Sequence, residues 1–474
     1  MQSVARRLAD IKSAQRWDFD YHDPAYTKVV ESLDRCYPTV RFGDIITLLT
    51  DMGAFSLYKT EFFVDDGVPF LRVQNVQEYG VDLTRDTKYI SQEYHQQLKK
   101  SQLQPGDLLL TTKAVIGVAT VVQDDLGECN MSQNLVRIHV TDGVNPHYLA
   151  AFLNSRLGRV QTVTAATGPN QQYLNFERIR NLKITLPPHP IQDRIAQVMQ
   201  NAYVERRKKL AQAEKEIIQS EQILADRLEI RQLDKHFDRA FLVKVKDIIT
   251  RMDVHHHLPQ FTEKLRALKS IKYPLVKIDN IAEGIFNGAT PRTNSEAYIE
   301  QPEEGIPFIR VTDITDFSVH IASALRIRID IHEGMLKRSQ VRPGDVLLSM
   351  AGTIGVAAVV PNGIREANIN QAIAAIRPKP DVIPGYLEVF LNSWMGKFQT
   401  TRLSRPVVQA NINLSEIREI LIPIPPEDLQ HEVVTEIQSH RKKAQCLRAE
   451  AEAVVAEAKA YVERVILGQE EVPL

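Results

Sequence analysis

Cysteine is scarce. Cys36, Cys129 and Cys446 are the only three in 474 residues, too few and too scattered for a disulfide framework or a zinc site, which fits a reducing compartment. Long hydrophobic runs are missing as well. No stretch approaches the roughly 18 apolar residues that a membrane span needs. Residues 1–20 carry Arg6, Arg7, Asp10, Lys12 and Arg16 with no apolar core between them, so no secretory signal is read and a cytoplasmic protein is expected. The phosphate-cradling loops G-x-x-x-x-G-K-S/T and G-x-G-x-x-G do not occur, which removes the sequence basis for nucleotide hydrolysis. Excess charge is absent too: 58 Lys and Arg face 59 Asp and Glu, for a net charge of −1. A stand-alone nucleic-acid binder is usually basic, so global charge does not point to DNA; a local basic face, with phosphate neutralisation shared by partner subunits, is compatible with it. What is present, 43% hydrophobic and 25% charged residues, describes a globular chain with length for about three folded units.

The sequence repeats itself once. Pro69-Phe70-Leu71-Arg72-Val73 returns 238 residues later as Pro307-Phe308-Ile309-Arg310-Val311. At the same displacement Gly106-Asp107-Leu108-Leu109-Leu110 becomes Gly344-Asp345-Val346-Leu347-Leu348, Gln133 becomes Gln371, and Phe152-Leu153-Asn154-Ser155 becomes Phe390-Leu391-Asn392-Ser393. A period this long means two complete modules, a pseudo-dimer in one polypeptide. Each half opens as an α+β segment, with strand-like runs at 68–73, 107–111 and 118–122 separated by Pro-Gly turns. A proline-initiated helix with an apolar stripe follows, at Pro146 and again at Pro384.

Each half ends in a long stretch free of glycine and proline. Over 191–231, Tyr203, Leu210, Ile217 and Leu224 recur every seven residues, with Ala213 and Leu228 between them; over 429–467 the same spacing links Ile437, Ala444, Ala451, Ala458 and Val465, with Leu447, Val454 and Tyr461 between them. Heptads of this kind make a coiled-coil seam, and about 40 residues at 1.5 Å per residue make helices roughly 60 Å long. The expected partition is 1–187, a first module; 188–234, a central helix; 235–425, a second module; and 426–474, a C-terminal helix.

Other motifs carry little chemistry. Asn145-Pro146-His147-Tyr148 is read as a helix start, because its duplicate is Ile383-Pro384-Gly385-Tyr386. His255-His256-His257 has no second ligand cluster nearby and is read as a solvated or partner-facing turn. Asp107 and Asp345 follow Pro-Gly and are read as turn residues, and no carboxylate pair recurs in a setting for acid-base catalysis. No catalytic residue and no metal site is assigned.

The ordered set of motifs, with Leu186-Pro187-Pro188 leading to Gln192 and Ile424-Pro425-Pro426 leading to Gln430, resembles the specificity subunit of type I restriction-modification systems over nearly the whole chain. The resemblance implies two target-recognition domains of α/β type, related by a pseudo-two-fold repeat and separated by two long antiparallel coiled-coil helices that act as a ruler. It implies a non-catalytic subunit that binds double-stranded DNA at a split asymmetric site. It also implies two partner methyltransferase subunits, which bind S-adenosylmethionine and methylate adenine, and ATP-dependent restriction subunits recruited through them; the chain itself is expected to hold no cofactor and to touch no membrane. A reading from another class is a scaffold that joins two partner proteins without nucleic acid, which near-neutral charge permits.

The duplication sorts residues for a DNA reader. Positions identical in both copies are expected to be scaffold or phosphate contacts, and polar positions that differ are expected to read bases. The matched Arg72 and Arg310 are assigned to phosphate or to a structural ion pair, and Gln133 and Gln371 to either role. Gln74 and Asn75 against Thr312 and Asp313, Thr112 and Lys113 against Met350 and Ala351, and Asn170, Gln171 and Gln172 against Arg405, Gln409 and Asn411 are the candidate base readers, because amides pair with adenine and guanidiniums with guanine. The basic runs 206–209 and 441–443 are read as solvated helix faces, with contact to the DNA backbone as the alternative.

Overall fold

The computed structural model describes residues 24–53, 62–166, 172–230, 241, 243, 253–292, 296–299, 305–315, 317–405 and 411–472. The chain divides into two compact units, 1–211 with 447–474, and 212–446. Each long helix therefore gives one part to each unit. The reason lies in packing: Ile195, Met199, Ala202, Val455, Ala458, Val462 and Val465 belong to the same buried cluster as Phe42, Leu108, Tyr148 and Phe152 in the first unit, while Leu224, Val433 and Ile437 join Ile278, Val346, Tyr386 and Phe390 in the second.

In the first unit a four-stranded antiparallel sheet runs in the order Ile46–Thr50, Leu135–Val140, Leu108–Thr111, Ala119–Val121. Leu108–Thr111 is buried along its whole length, as its unbroken apolar run requires. A three-stranded sheet, Lys88–Ile90, Val68–Leu71, Asn130–Met131, lies beside it in sequence, and Thr39–Arg41 pairs with Lys183–Thr185. The second unit repeats the four-stranded order with Ala282–Asn287, Ile373–Pro378, Val346–Ser349 and Ala357–Val359, and pairs Leu275–Lys277 with Leu421–Pro423. Its smaller sheet has grown to five strands.

The repeated motifs are side chains that satisfy backbone. Asn154, buried in the helix Pro146–Asn154, accepts the Ala119 N–H at 2.9 Å and donates to the Ala119 carbonyl at 2.6 Å, so it completes the free edge of the strand Ala119–Val121. Asn392 does the same to Ala357 at 3.0 and 2.8 Å. Gln192 donates to the Pro187 carbonyl at 2.9 Å and accepts from the Asn145 N–H at 2.9 Å; Gln430 repeats this with Pro425 and Ile383 at 3.0 and 3.1 Å. The first proline of each pair thus presents a carbonyl that a buried amide holds.

The long helices run His189–Arg227 and Glu427–Ile466. The first ends at Arg227, short of the expected 234, because Glu229 takes φ +56° and Ile230 N–H turns back to the Ala225 carbonyl at 2.9 Å, a left-handed cap. Ala213, Leu224, Leu228, Ile437, Ala444, Ala451, Ala458 and Val465 of the heptad stripes are buried. Val455 and Val462, outside the stripe read from sequence, are buried as well. Ion pairs flank the stripes: Arg206–Glu452 and Lys209–Glu450 in the first unit, Arg227–Glu436 and Lys443–Glu216 in the second, each set stepping in opposite chain directions. Cys129 is buried, and desolvation together with the charge of Asp107 pushes its thiol up to about 12, which makes it inert. No described helix is long and apolar enough to cross a membrane.

Candidate nucleic-acid interface

Each four-stranded sheet carries a hairpin turn held in the same way. In the first unit the turn after Leu108–Thr111 is tied at its start by Thr112, whose N–H donates to the Asn134 carbonyl at 2.9 Å and whose carbonyl accepts the Leu174 N–H at 3.0 Å. At its end, Gly117 N–H returns to the Thr111 carbonyl at 2.8 Å. In the second unit Met350 N–H donates to Ala372 at 2.7 Å, its carbonyl accepts Ile412 N–H at 3.0 Å, and Gly355 N–H returns to Ser349 at 3.0 Å. These knots gather several predicted readers. Lys113 bridges Tyr173 beside the exposed Gln172, and Asn411 bridges both Ala351 and Arg405. Gln133 and Gln371 precede the residues that receive the turns' first N–H groups.

The second group of predicted readers splits. Val68–Leu71 ends earlier than the expected 73, because Val73–Asn75 forms a 3₁₀ turn in which the Asn75 side-chain amide oxygen accepts the Arg72 N–H at 2.9 Å. The Asn75 amide then donates to Asp82, Arg85 and Thr87, and the residue is fully buried. Asp313 caps the duplicate turn, taking the Arg310 N–H at 2.9 Å, and is buried too. Thr112 is also buried, its hydroxyl donating to Asn134 at 3.0 Å. The structure therefore corrects the expectation for Asn75, Asp313 and Thr112, whose polar groups are spent on the fold. Thr312 is exposed. Gln74 is also exposed, and its amide N–H group rests on the carbonyls of Arg85 and Asp86 at 3.2 and 3.1 Å.

Arg72 and Arg310 make ion pairs, Arg72 with Asp86 at 2.8 Å and Arg310 with Asp313 at 3.1 Å. Hydrogen bonds from Arg72 and then Gln74 hold the Asp86 carboxyl below its ordinary range. Gln133 is half-buried with its side-chain oxygen shielded, Gln371 is exposed, and Arg405 is exposed beside Glu416 at 3.3 Å. Asn170, Gln171 and Gln409 lie outside the described residues. Of the basic runs, Arg206, Lys208, Lys209, Arg441 and Lys443 carry ion pairs, and Arg207 and Lys442 face solvent. His255 and His256 meet the carbonyls of Thr401 and Arg402, and the described residues hold no cluster suited to a metal ion.

Beside the first turn lies a cleft of about 720 Å³ lined by Gln74, Tyr79, Arg85, Ala114, Val115, Tyr203, Arg206 and Lys459, among others. Val115 and Tyr173, 55% and 43% exposed, are not among the polar differences read from the sequence. An apolar or aromatic residue that changes between the copies would have been the signal.

The family profile described as Type I restriction modification DNA specificity domain matches residues 37–217 and again 271–454. The chain belongs to that family. Within type I restriction-modification it is a DNA-recognition subunit, not a catalytic one. It is 26% identical to the EcoBI specificity subunit of Escherichia coli over 381 residues, 79% of this chain and 73% of that one. In fold it resembles a chain solved in work on complex assembly and conformational transition of the type I R-M system, at a TM-score of 0.51 and 16% identity, covering 92% of this chain and 98% of that one. A type I S subunit from M. genitalium aligns at a TM-score of 0.46 and 11% identity, over 93% and 98% of the two chains.

Proposed function

We propose that the two units each read one half of a bipartite, asymmetric DNA site in the cytoplasm, and that the long helices pair as an antiparallel coiled coil that sets the gap between the halves. The subunit positions two adenine-methyltransferase partners, which bind S-adenosylmethionine, and through them ATP-dependent restriction subunits. The observation that supports this reading is the pair of hairpin turns: one backbone frame, tied by the same hydrogen bonds, carries Thr112-Lys113-Ala114-Val115 in one unit and Met350-Ala351-Gly352-Thr353 in the other. A constant frame with changed side chains is what two readers of different sequence require. Gln74, Lys113 and Gln172 in the first unit and Thr312, Arg405 and Asn411 in the second are the readers retained; Arg72 and Arg310 hold the frame. Because Arg85, Arg206, Arg405 and Lys459 carry intramolecular ion pairs, the methyltransferase subunits contribute much of the phosphate neutralisation.

The test is a module exchange. Replacing residues 1–187 by the first module of another family member, followed by methylation-site mapping of the assembled complex, changes one half-site and leaves the other; a change in both halves contradicts the reading. Inserting four residues in each long helix adds about 6 Å, close to two base-pair steps, and lengthens the gap. An unchanged gap removes the ruler.

A further inference from the structure

The turn that follows Leu108–Thr111 is rigid, strained at one residue and apolar at its tip. Its frame is tied by the Gly117 and Thr112 bonds already described, by Val118 N–H to the Thr111 hydroxyl at 2.9 Å, and by the Arg159 guanidinium to the Ile116 carbonyl at 2.7 Å. Gly117 lies so close to Thr162 that a Cβ there would collide with its side chain, so the turn is seated on the helix Arg156–Ala165. Inside this frame Ala114 adopts φ +60°, a left-handed conformation that its Cβ disfavours and that the second unit assigns to Gly352. The strain has a result. The chain turns so that Val115 stands at the tip, 55% exposed, where the second unit has Thr353.

An apolar side chain held on a strained and anchored tip is not there to be buried by its own fold. Around it, Gln74, Arg85, Arg206 and Lys459 line the same cleft together with Glu78 and Glu452, the three cations being paired with Asp82, Glu452 and Glu78, and Lys113 precedes Val115 in the turn. Beside DNA, the one apolar group that a base pair offers such a tip in the major groove is the 5-methyl of thymine. We infer that Val115 is a specificity-determining residue that contacts a thymine 5-methyl group in the half-site read by the first unit. The inference rests on the DNA-reading role proposed above.

The experiment uses the full complex with its methyltransferase partners and duplexes carrying the mapped site, in which each thymine of the first unit's half-site is replaced singly by uracil. With the native subunit, loss of one particular methyl weakens binding about fourfold, the value of one buried methyl group. With Val115→Ala, uracil and thymine at that position bind alike, while uracil substitutions in the other half-site give the native result. Val115→Thr, the second unit's residue, reduces the discrimination at the same position. Uracil penalties that are identical in native and Val115→Ala complexes, or a half-site in which no methyl matters, overturn the inference and leave DNA reading intact. If the native complex shows no site-specific retention at all, the parent reading falls and this one falls with it.

Discussion

The second unit clamps its helix Pro384–Asn392 to a long helix through a buried ion pair, and the first has no ion pair at the corresponding positions. In the second, Glu388 is buried and accepts from the Arg441 guanidinium at 2.8 and 2.9 Å, while that guanidinium lies 3.9 Å above the Phe317 ring. The duplicate positions in the first unit are Ala150, Tyr203 and Tyr79. There the two tyrosine rings meet at 6.5 Å, Arg206 lies 5.2 Å over Tyr79, and the shielded Tyr203 hydroxyl finds no hydrogen-bond partner among the described residues. Clefts of about 720 and 390 Å³ flank Tyr203, and one of about 20 Å³ lies beside Arg441. A backbone frame common to both copies therefore does not dictate how it is fastened.

The comparison is broken most directly by Arg441→Ala, which strands the buried Glu388 carboxylate and is expected to cost about 3–5 kcal/mol. Installing the first unit's own pair, Glu388→Ala with Arg441→Tyr, is expected to recover most of that loss. Hydrogen exchange of the amides in Pro384–Asn392 under increasing denaturant measures both; a double variant no better than the single one would show that the two fastenings are not equivalent.

Buried asparagines sharpen the contrast. Asn154→Ala is expected to cost about 1–3 kcal/mol, the price of stranding a strand edge. Asn392→Ala is expected to cost about 1 kcal/mol more, because Asn392 also donates to the Glu388 carboxylate. Equal losses, measured in the same exchange experiment, would deny that the clamp and the strand edge are coupled.

The clamp also gives the second unit a pH dependence. Burial holds the Glu388 carboxyl above its ordinary 4.5, and Arg441 pulls it back down. Between 4.5 and the raised folded-state value the folded chain binds more protons than the unfolded one, so stability falls as pH rises through that window. Without Arg441 the window widens. The deficit of Arg441→Ala relative to the native chain is therefore expected to shrink as the pH is lowered from 8 towards 4.5, with denaturant titrations at each pH as the measurement. A deficit that grows on acidification contradicts it.

The smallest effect belongs to the turns. Ala114→Gly is expected to stabilise the first unit by up to about 1 kcal/mol, since it relieves the Cβ penalty at φ +60°. Gly352→Ala, at φ +74° with nothing within 4 Å of the new Cβ, is expected to destabilise the second by about 1–2 kcal/mol. Melting temperatures moving in opposite directions confirm that the two turns share one backbone conformation.

Much of the fold was legible because its signals are local. Asn154, Gln192, Asn392 and Gln430 belong to the motifs that recur in both halves, and each binds backbone. The candidate site was less legible. Gln74 and Asn75 are adjacent amides, yet one is exposed and the other buried, because a single 3₁₀ turn points them apart. Restricting attention to hydrogen-bonding residues also hid Val115.

The amino-acid sequence alone determined that there are two copies of one module and two long helices, since a repeat and a seven-residue stripe are properties of order along the chain. Tertiary structure alone decided which polar side chains are consumed by the fold and which are left to face outward. It also decided that Glu388 finds Arg441, 53 residues away, while Tyr203 finds no such partner. Those outcomes depend on which groups lose water together, and desolvation is shared among residues that are distant in sequence.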